Sequence, residues 1–377
     1  MMRAIHPDAV RFAVLVIAIG LAGACSDPPV RESRREDLTL SLVREIGADV
    51  FKYPGAPMLG FNAMALGGGR LYIHDSQGDV PFYVVDPVSF ELKGFGAWGS
   101  GPGEIRPGFP VVLSFAGSRL YAHALFDAKL LVFDEAGSLA AEHVVGPAVR
   151  GMGSVHVVAD TLALVLPMQP TDATGEFARL HRIDGDRGLL VEGRPFGDDG
   201  ELPGFEPLHA NPMLKQGPVH VDPAGRIHWA NYYSSLLATF ESDGRSRRIG
   251  LEPWGVVPPA AEISMSGSVV AGDPERATQG AIALASDDRY LYRLYSGFEL
   301  TRQEVMAYRA KQSQKELPLG EAQTVDVFDH SDGSYKFSFD LPVAATNIAV
   351  DDRFLYVLTI EGLPRLLVFE KPGPLTN

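Results

Sequence analysis

Ten histidines, one cysteine and a glycine-rich stretch are the places where this chain could do chemistry. His74 stands three residues after Leu71, and His123 three residues after Leu120, so the two hold equivalent places in similar phrases. His228 directly follows Ile227, and period-two alternation puts offsets of one and three on the same strand face. Imidazoles so placed on neighbouring strands could meet around a metal ion, with zinc the natural guest. Asp75 beside His74, with Asp79 nearby, makes that stretch the best place for a polar pocket. Tyr72, Tyr121, Tyr292 and Tyr356 share the offset of one, however, and this fits aromatic packing between sheets equally well. Asn62, Asn231 and Asn347 could also face a central channel, although asparagine is common at strand ends and turns for its own reasons.

The stretch Gly94-Phe95-Gly96-Ala97-Trp98-Gly99 spells G-x-G-x-x-G. A dinucleotide site needs a helix N-terminus aimed at the pyrophosphate. Here Pro102, Pro107 and Pro110, interleaved with Gly101, Gly103 and Gly108, leave no room for a helix. The glycines read instead as a tight crossing between two units of structure. Nor is there a case for nucleophilic catalysis: Gly151-Met152-Gly153-Ser154 lacks the trailing glycine and the strand–elbow–helix setting of G-x-S-x-G.

Any such residues must be positioned by the rest of the chain, and its composition is that of a folded globule. Of 377 residues, 46% are hydrophobic and 21% charged, enough for a sizeable core. Forty glycines and 28 prolines suit a chain that turns often. The net charge of −14, with no basic run beyond Arg245, Arg247 and Arg248, argues against nucleic acid as a partner.

The N-terminus reads as an export signal over residues 1–24. Arg3 and Arg11 precede the apolar run from Phe12 to Leu21, too short to span a membrane but suited to a signal-peptide core. Leu21-Ala22-Gly23-Ala24-Cys25 resembles the bacterial lipobox, with Leu21 one place further from the cysteine than that pattern has it. The resemblance implies lipidation of Cys25, which is the sole cysteine and so cannot form an internal disulfide. Ala22-Gly23-Ala24 also fits an ordinary A-x-A cleavage site, which would release a free secreted protein. Residues 25–37 are polar and read as a tether, placing the domain outside the cytoplasm, in the periplasm or at the outer membrane.

From there on one phrase recurs: an apolar run, a glycine or acidic turn, an aromatic strand, and a further strand ending in a turn. The last copy is the cleanest, with Asn347–Val350, Asp351-Asp352-Arg353, Leu355-Tyr356-Val357 and Leu366–Phe369. Four short strands every 40 to 50 residues or so is the pattern of a β-propeller blade. The expectation is an all-β, six-bladed β-propeller of four-stranded antiparallel blades over residues 38–371, with blades at about 58–98, 103–147, 150–197, 203–251, 277–342 and 343–371. The last blade is one strand short, and Leu38–Val43, which alternates at period two, could supply it and close the ring. Thr301-Arg302-Gln303-Glu304 reads as a capping box opening a short inserted helix that runs to about Lys315.

Gly101-Pro102-Gly103-Glu104-Ile105, Leu120-Tyr121 and Leu131–Gly137 resemble an NHL-type repeat. The mature chain resembles bacterial six-bladed propeller lipoproteins of the TolB-like kind. That resemblance implies an extracytoplasmic binding role for a protein or glycan ligand, contact with the membrane only through the lipid, and a monomer. It carries no catalytic mechanism, since fold alone does not give function; no catalytic residue is assigned and no cofactor is expected beyond a divalent metal that the channel could hold. The competing reading is a metal-dependent hydrolase or lyase using the central channel, similar to gluconolactonase and regucalcin, with a divalent cation held by oxygen ligands. The glutamate that opens the first blade in those enzymes has no counterpart in Gly55–Phe61.

Overall fold

Strands arise wherever β-branched and aromatic residues alternate between acidic or glycine turns. In the second blade, Val111–Ala116 turns through Gly117-Ser118 into Arg119–Ala124, and Gly117 takes the positive φ (57°) that such a turn requires. A computed structural model describes residues 34–47, 49–52, 63–108, 110–125, 127–145, 153–167, 177–184, 189–196, 215–256, 276–301 and 321–375. The export signal, Cys25 and the expected helix after Thr301 lie outside the described residues; Thr301 itself pairs with Arg276 at a strand end.

The described strands form six antiparallel four-stranded blades around a ring, the six-bladed propeller that the repeats predict. Each blade begins with its innermost strand: Met64–Gly67, Val111–Ala116, Gly153–Ala159, Val219–Val221, Arg276–Ser286 and Asn347–Val350. The second strands follow at Arg70–His74, Arg119–Ala124, Leu162–Pro167, Ile227–Ala230, Tyr290–Thr301 and Phe354–Thr359. Blades 2 and 3 also touch at their outer edges through a parallel pair, Val144 and Leu189.

The core is divided among the junctions between blades. Residues of opposite parity on one strand serve opposite neighbours: Leu71 and Ile73 pack toward blade 6, whereas Tyr72 between them packs toward blade 2. Likewise Leu291 faces blade 4 and Tyr292 faces blade 6. A blade is therefore apolar on both faces, and burying each large side chain contributes about 1.5–3 kcal/mol.

The ring closes through an N-terminal strand, which lies at Leu42–Ile46 rather than Leu38–Val43 and pairs antiparallel with Arg365–Glu370. Leu38 and Leu40 instead pack on the core between blades 5 and 6. The preceding residues, expected in the tether, also dock. Glu36 N–H donates to the Ser338 carbonyl and Ser338 N–H to the Arg34 carbonyl, each at 2.8 Å. Backbone groups on the outer strand of blade 5 would otherwise remain unpaired, and this segment covers them.

The G-x-G-x-x-G stretch is the crossing from blade 1 to blade 2. Ala97-Trp98 and Glu104-Ile105 pair in parallel, and Gly101 N–H donates to Glu104 Oε2 at 2.7 Å. Gly103 sits at φ 73°.

Candidate functional site

The turns between first and second strands rim one end of a central cavity of about 780 Å³. Its lining includes Asp160, Asp222, Asp287, Asp288, Asp351 and Asp352, with no lysine or arginine among the described residues. The charge is one-sided, because blades 1 and 2 contribute Gly67, Gly69 and Gly117 at the corresponding turns.

Some of these carboxylates are structural. Asp351 Oδ1 accepts the N–H groups of Arg353 and Phe354, and its Oδ2 accepts the Tyr356 hydroxyl at 2.6 Å. Asp287 does the same with Arg289, Tyr290 and the Tyr292 hydroxyl, and adds Lys371 Nζ at 2.7 Å. These bonds hold Asp287 below the usual carboxylate range although burial pushes the other way. The acidic turn and the aromatic strand after it are thus one latch. Asp160, Asp288 and Asp352 are exposed.

Blade 4 carries the latch in altered form. The cross-strand partners of Tyr292 and Tyr356 are Ala285 and Ala349, each two residues before the latch aspartate. The matching pair in blade 4 is His228 and His220, two residues before Asp222. His228 Nε2 lies 3.1 Å from Asp222 Oδ2, and a second imidazole, His330 from blade 5, brings its Nε2 to 2.6 Å from the same oxygen. The two Nε2 atoms are 3.4 Å apart. Arg226 Nε donates to that oxygen at 2.6 Å, and Arg226 Nη1 donates to the His330 carbonyl at 2.8 Å. His228 Nδ1 is 3.0 Å from Thr239 Oγ1, and His220 Nε2 is 2.8 Å from Ser286 Oγ.

Asp222, His228 and His330 are all buried. Burial drives Asp222 up, but its bonds from His228, His330 and the Arg226 backbone prevail and hold the carboxyl far below its ordinary value. Burial lowers His228 against the pull of Asp222, and burial together with His228 pushes His220 down to about 3. Two imidazoles and one carboxylate converging on a point form a donor set that suits a borderline divalent ion.

Of the residues singled out in the sequence, only His228 belongs to this cluster. His74 is buried against Phe82 and Trp98, with neither ring nitrogen hydrogen-bonded. His123 Nδ1 accepts the N–H of Val155. Asp75 caps the N–H groups of Lys52 and Gln77. Asn231 Oδ1 accepts from the Tyr233 N–H and the Ser234 hydroxyl. None of these five residues lines the cavity. The reason is geometric: all five sit on, or just after, second strands, and the first strands stand between them and the axis. Equivalent positions in adjacent blades are separated by a sheet-packing distance of about 10 Å, so His74 and His123 do not converge with His228. Asn62 lies outside the described residues, as does the Gly55–Phe61 stretch.

Asp222 and His330 were not visible as ligands. Asp222 reads as a strand-ending turn residue, though its correspondence to Asp287 and Asp351 is a usable signal. His330 lies in the Asp329–Ser334 hairpin, 102 residues from His228, and nothing local marks it.

No protein-family model matches the chain, and no curated protein matches it. Among solved structures it is similar to a member of the DUF4221 family from Bacteroides vulgatus, with a TM-score of 0.54 and 11% identity over 89% of this chain and 98% of that one. It also aligns with regucalcin, a calcium-binding protein from Agrobacterium tumefaciens, at a TM-score of 0.44 and 11% identity over 90% of this chain and 97% of that one. BamB from Moraxella catarrhalis aligns at 0.37 and 12% identity over 88% and 100%. At these identities the likeness concerns the fold alone.

Proposed function

We propose that this chain is an exported, lipid-anchored binding protein that receives a cationic segment of a protein ligand at the acidic mouth of its ring. The observation that carries the reading is the cavity wall, where the described lining residues include six aspartates, three of them exposed, and no lysine or arginine. A concave, low-dielectric surface of one sign focuses its field and concentrates ligands of the opposite sign. A neutral glycan would gain nothing from that field, which favours the protein over the glycan ligand. The N-terminal signal supports export, and lipidation of Cys25 would hold the ring near a membrane. From Cys25 to the docked Arg34 the chain spans at most about 30 Å, at roughly 3.5 Å per residue.

Binding of fluorescent lysine-rich, glutamate-rich and neutral peptides, and of a set of oligosaccharides, tests this reading. The lysine-rich peptides should bind best and weaken as salt rises, since such charges are screened over about 8–10 Å. Asp288→Lys with Asp352→Lys should weaken them at least about tenfold. Equal binding by that variant, or a preference for uncharged sugars, would defeat the proposal. The anchor is tested separately: Cys25→Ala should move the protein from the membrane fraction to the soluble fraction.

The second reading, a metal-dependent enzyme, is favoured by one observation, the cluster of Asp222, His228 and His330.

A further inference from the structure

We propose that Asp222, His228 and His330 bind a zinc-type divalent ion, with a fourth position supplied by water from the central cavity. The inference does not depend on what the cavity mouth receives. Two stretches distant in sequence bring the donors together: the first hairpin of blade 4, which carries Asp222 and His228, and a hairpin of blade 5, which carries His330.

The spacing suits such an ion. Ligands about 2.0–2.1 Å from a tetrahedral zinc lie roughly 3.4 Å from one another. The two imidazole nitrogens stand at 3.4 Å, and His228 Nε2 and Asp222 Oδ2 at 3.1 Å. Only the 2.6 Å contact of His330 with Asp222 must lengthen, by under about 1 Å. The His330 backbone is held by the Arg289 carbonyl and by Arg226, so that shift falls on its side chain.

The surrounding hydrogen bonds are those of a ligand shell. With Nε2 on the ion, His228 carries its proton on Nδ1, and Thr239 Oγ1 stands ready to accept it at 3.0 Å. Arg226 occupies one lone pair of Asp222 Oδ2 and leaves another for the ion, while its Nη1 ties down the His330 carbonyl. Its positive charge lowers the affinity, so micromolar rather than picomolar binding is expected.

The comparison within the ring adds an independent argument. Blade 6 satisfies the latch aspartate with backbone N–H groups and a tyrosine hydroxyl, and blade 5 does the same with Lys371 added. Blade 4 replaces the tyrosine with His228 and adds a second imidazole from its neighbour, neither of which the turn requires. Asp222 and His220 line the cavity, with His228 and His330 buried behind them, and the proposal places the fourth position on the cavity side. Three protein ligands with a fourth position for water is the pattern of a reactive rather than a purely structural zinc site.

The test uses the full-length protein, solubilised from membranes in detergent, treated with chelator and titrated with zinc chloride by calorimetry and cobalt chloride by visible absorption. One equivalent of zinc should bind, and cobalt should give the strong visible bands of tetrahedral coordination. His330→Ala should abolish those bands, and Thr239→Val should weaken zinc binding about 10- to 100-fold. His143→Gln, in blade 2 and outside the cluster, should change neither. Absence of stoichiometric zinc uptake by the unaltered protein would overturn the site, as would an unchanged cobalt spectrum in His330→Ala. Should His330→Ala fail to fold, the spectrum of the unaltered protein decides, because octahedral or absent bands exclude the arrangement.

Discussion

Arg293 and Asp326 face each other directly across the second and third strands of blade 5, and both are completely buried. Arg293 Nε and Nη2 donate to Asp326 Oδ2 at 3.0 and 2.7 Å. The guanidinium also reaches the carbonyls of Ser235 and Glu252, at 2.5 and 2.8 Å. Asp326 further accepts from Ser338 Oγ and Trp254 Nε1. One cation thus bonds strand to strand within blade 5 and also to the loops of blade 4.

Removing one partner strands the other charge in the core. Asp326→Ala should therefore cost about 3–5 kcal/mol, while the apolar pair Arg293→Met with Asp326→Leu should cost much less. Urea unfolding followed by tryptophan fluorescence reads this directly, since Trp254 stacks on Tyr295 beside the pair. A double variant as unstable as the single would argue against the account.

Acid should destabilise the ring before its carboxylates titrate. Burial pushes His74, His123 and His156 from 6.5 down to about 3, with His123 adding to the effect on His156. Between those values the unfolded chain binds protons that the folded chain refuses. Stability is therefore complete above about pH 6.5 and falls as the pH drops toward 3, by up to about 1.4 kcal/mol per histidine per pH unit. Unfolding free energies measured from pH 7 to 4 should show this slope, and His74→Phe should lessen it. A profile flat down to pH 4.5 would contradict it.

The N-terminal segment joins two blades, by pairing residues 34–36 with Ser338 and residues 42–46 with the outer strand of blade 6. Deleting residues 34–46 should expose both outer edges and lose the packing of Leu38 and Leu40. The expected outcome is aggregation and a broadened thermal transition, read by light scattering and calorimetry. A soluble variant that melts as sharply as the full chain would show that closure contributes little.

The strands, their fourfold grouping and the ring of six could be read from the sequence, because alternation and acidic or glycine turns act over a few residues. The closing strand was legible only to within four residues. Leu38, Leu40 and Leu42 share one alternation, and only the neighbouring blades determine which of them enters the core and which the ladder. The latch could be read in part: Asp351-Asp352-Arg353 and Tyr356 recur as Asp287-Asp288-Arg289 and Tyr292, five residues from carboxylate to hydroxyl.

The candidate site is another matter. The sequence marked His228 by its strand position and gave no reason to join it to Asp222 or His330. It equally marked His74, which the fold encloses among aromatic rings. Local pattern determines which face of a strand a side chain occupies, and that was enough for the architecture. Which side chains share an oxygen atom depends on how blade 4 and blade 5 meet, and that is decided by long-range packing that no short stretch of sequence contains.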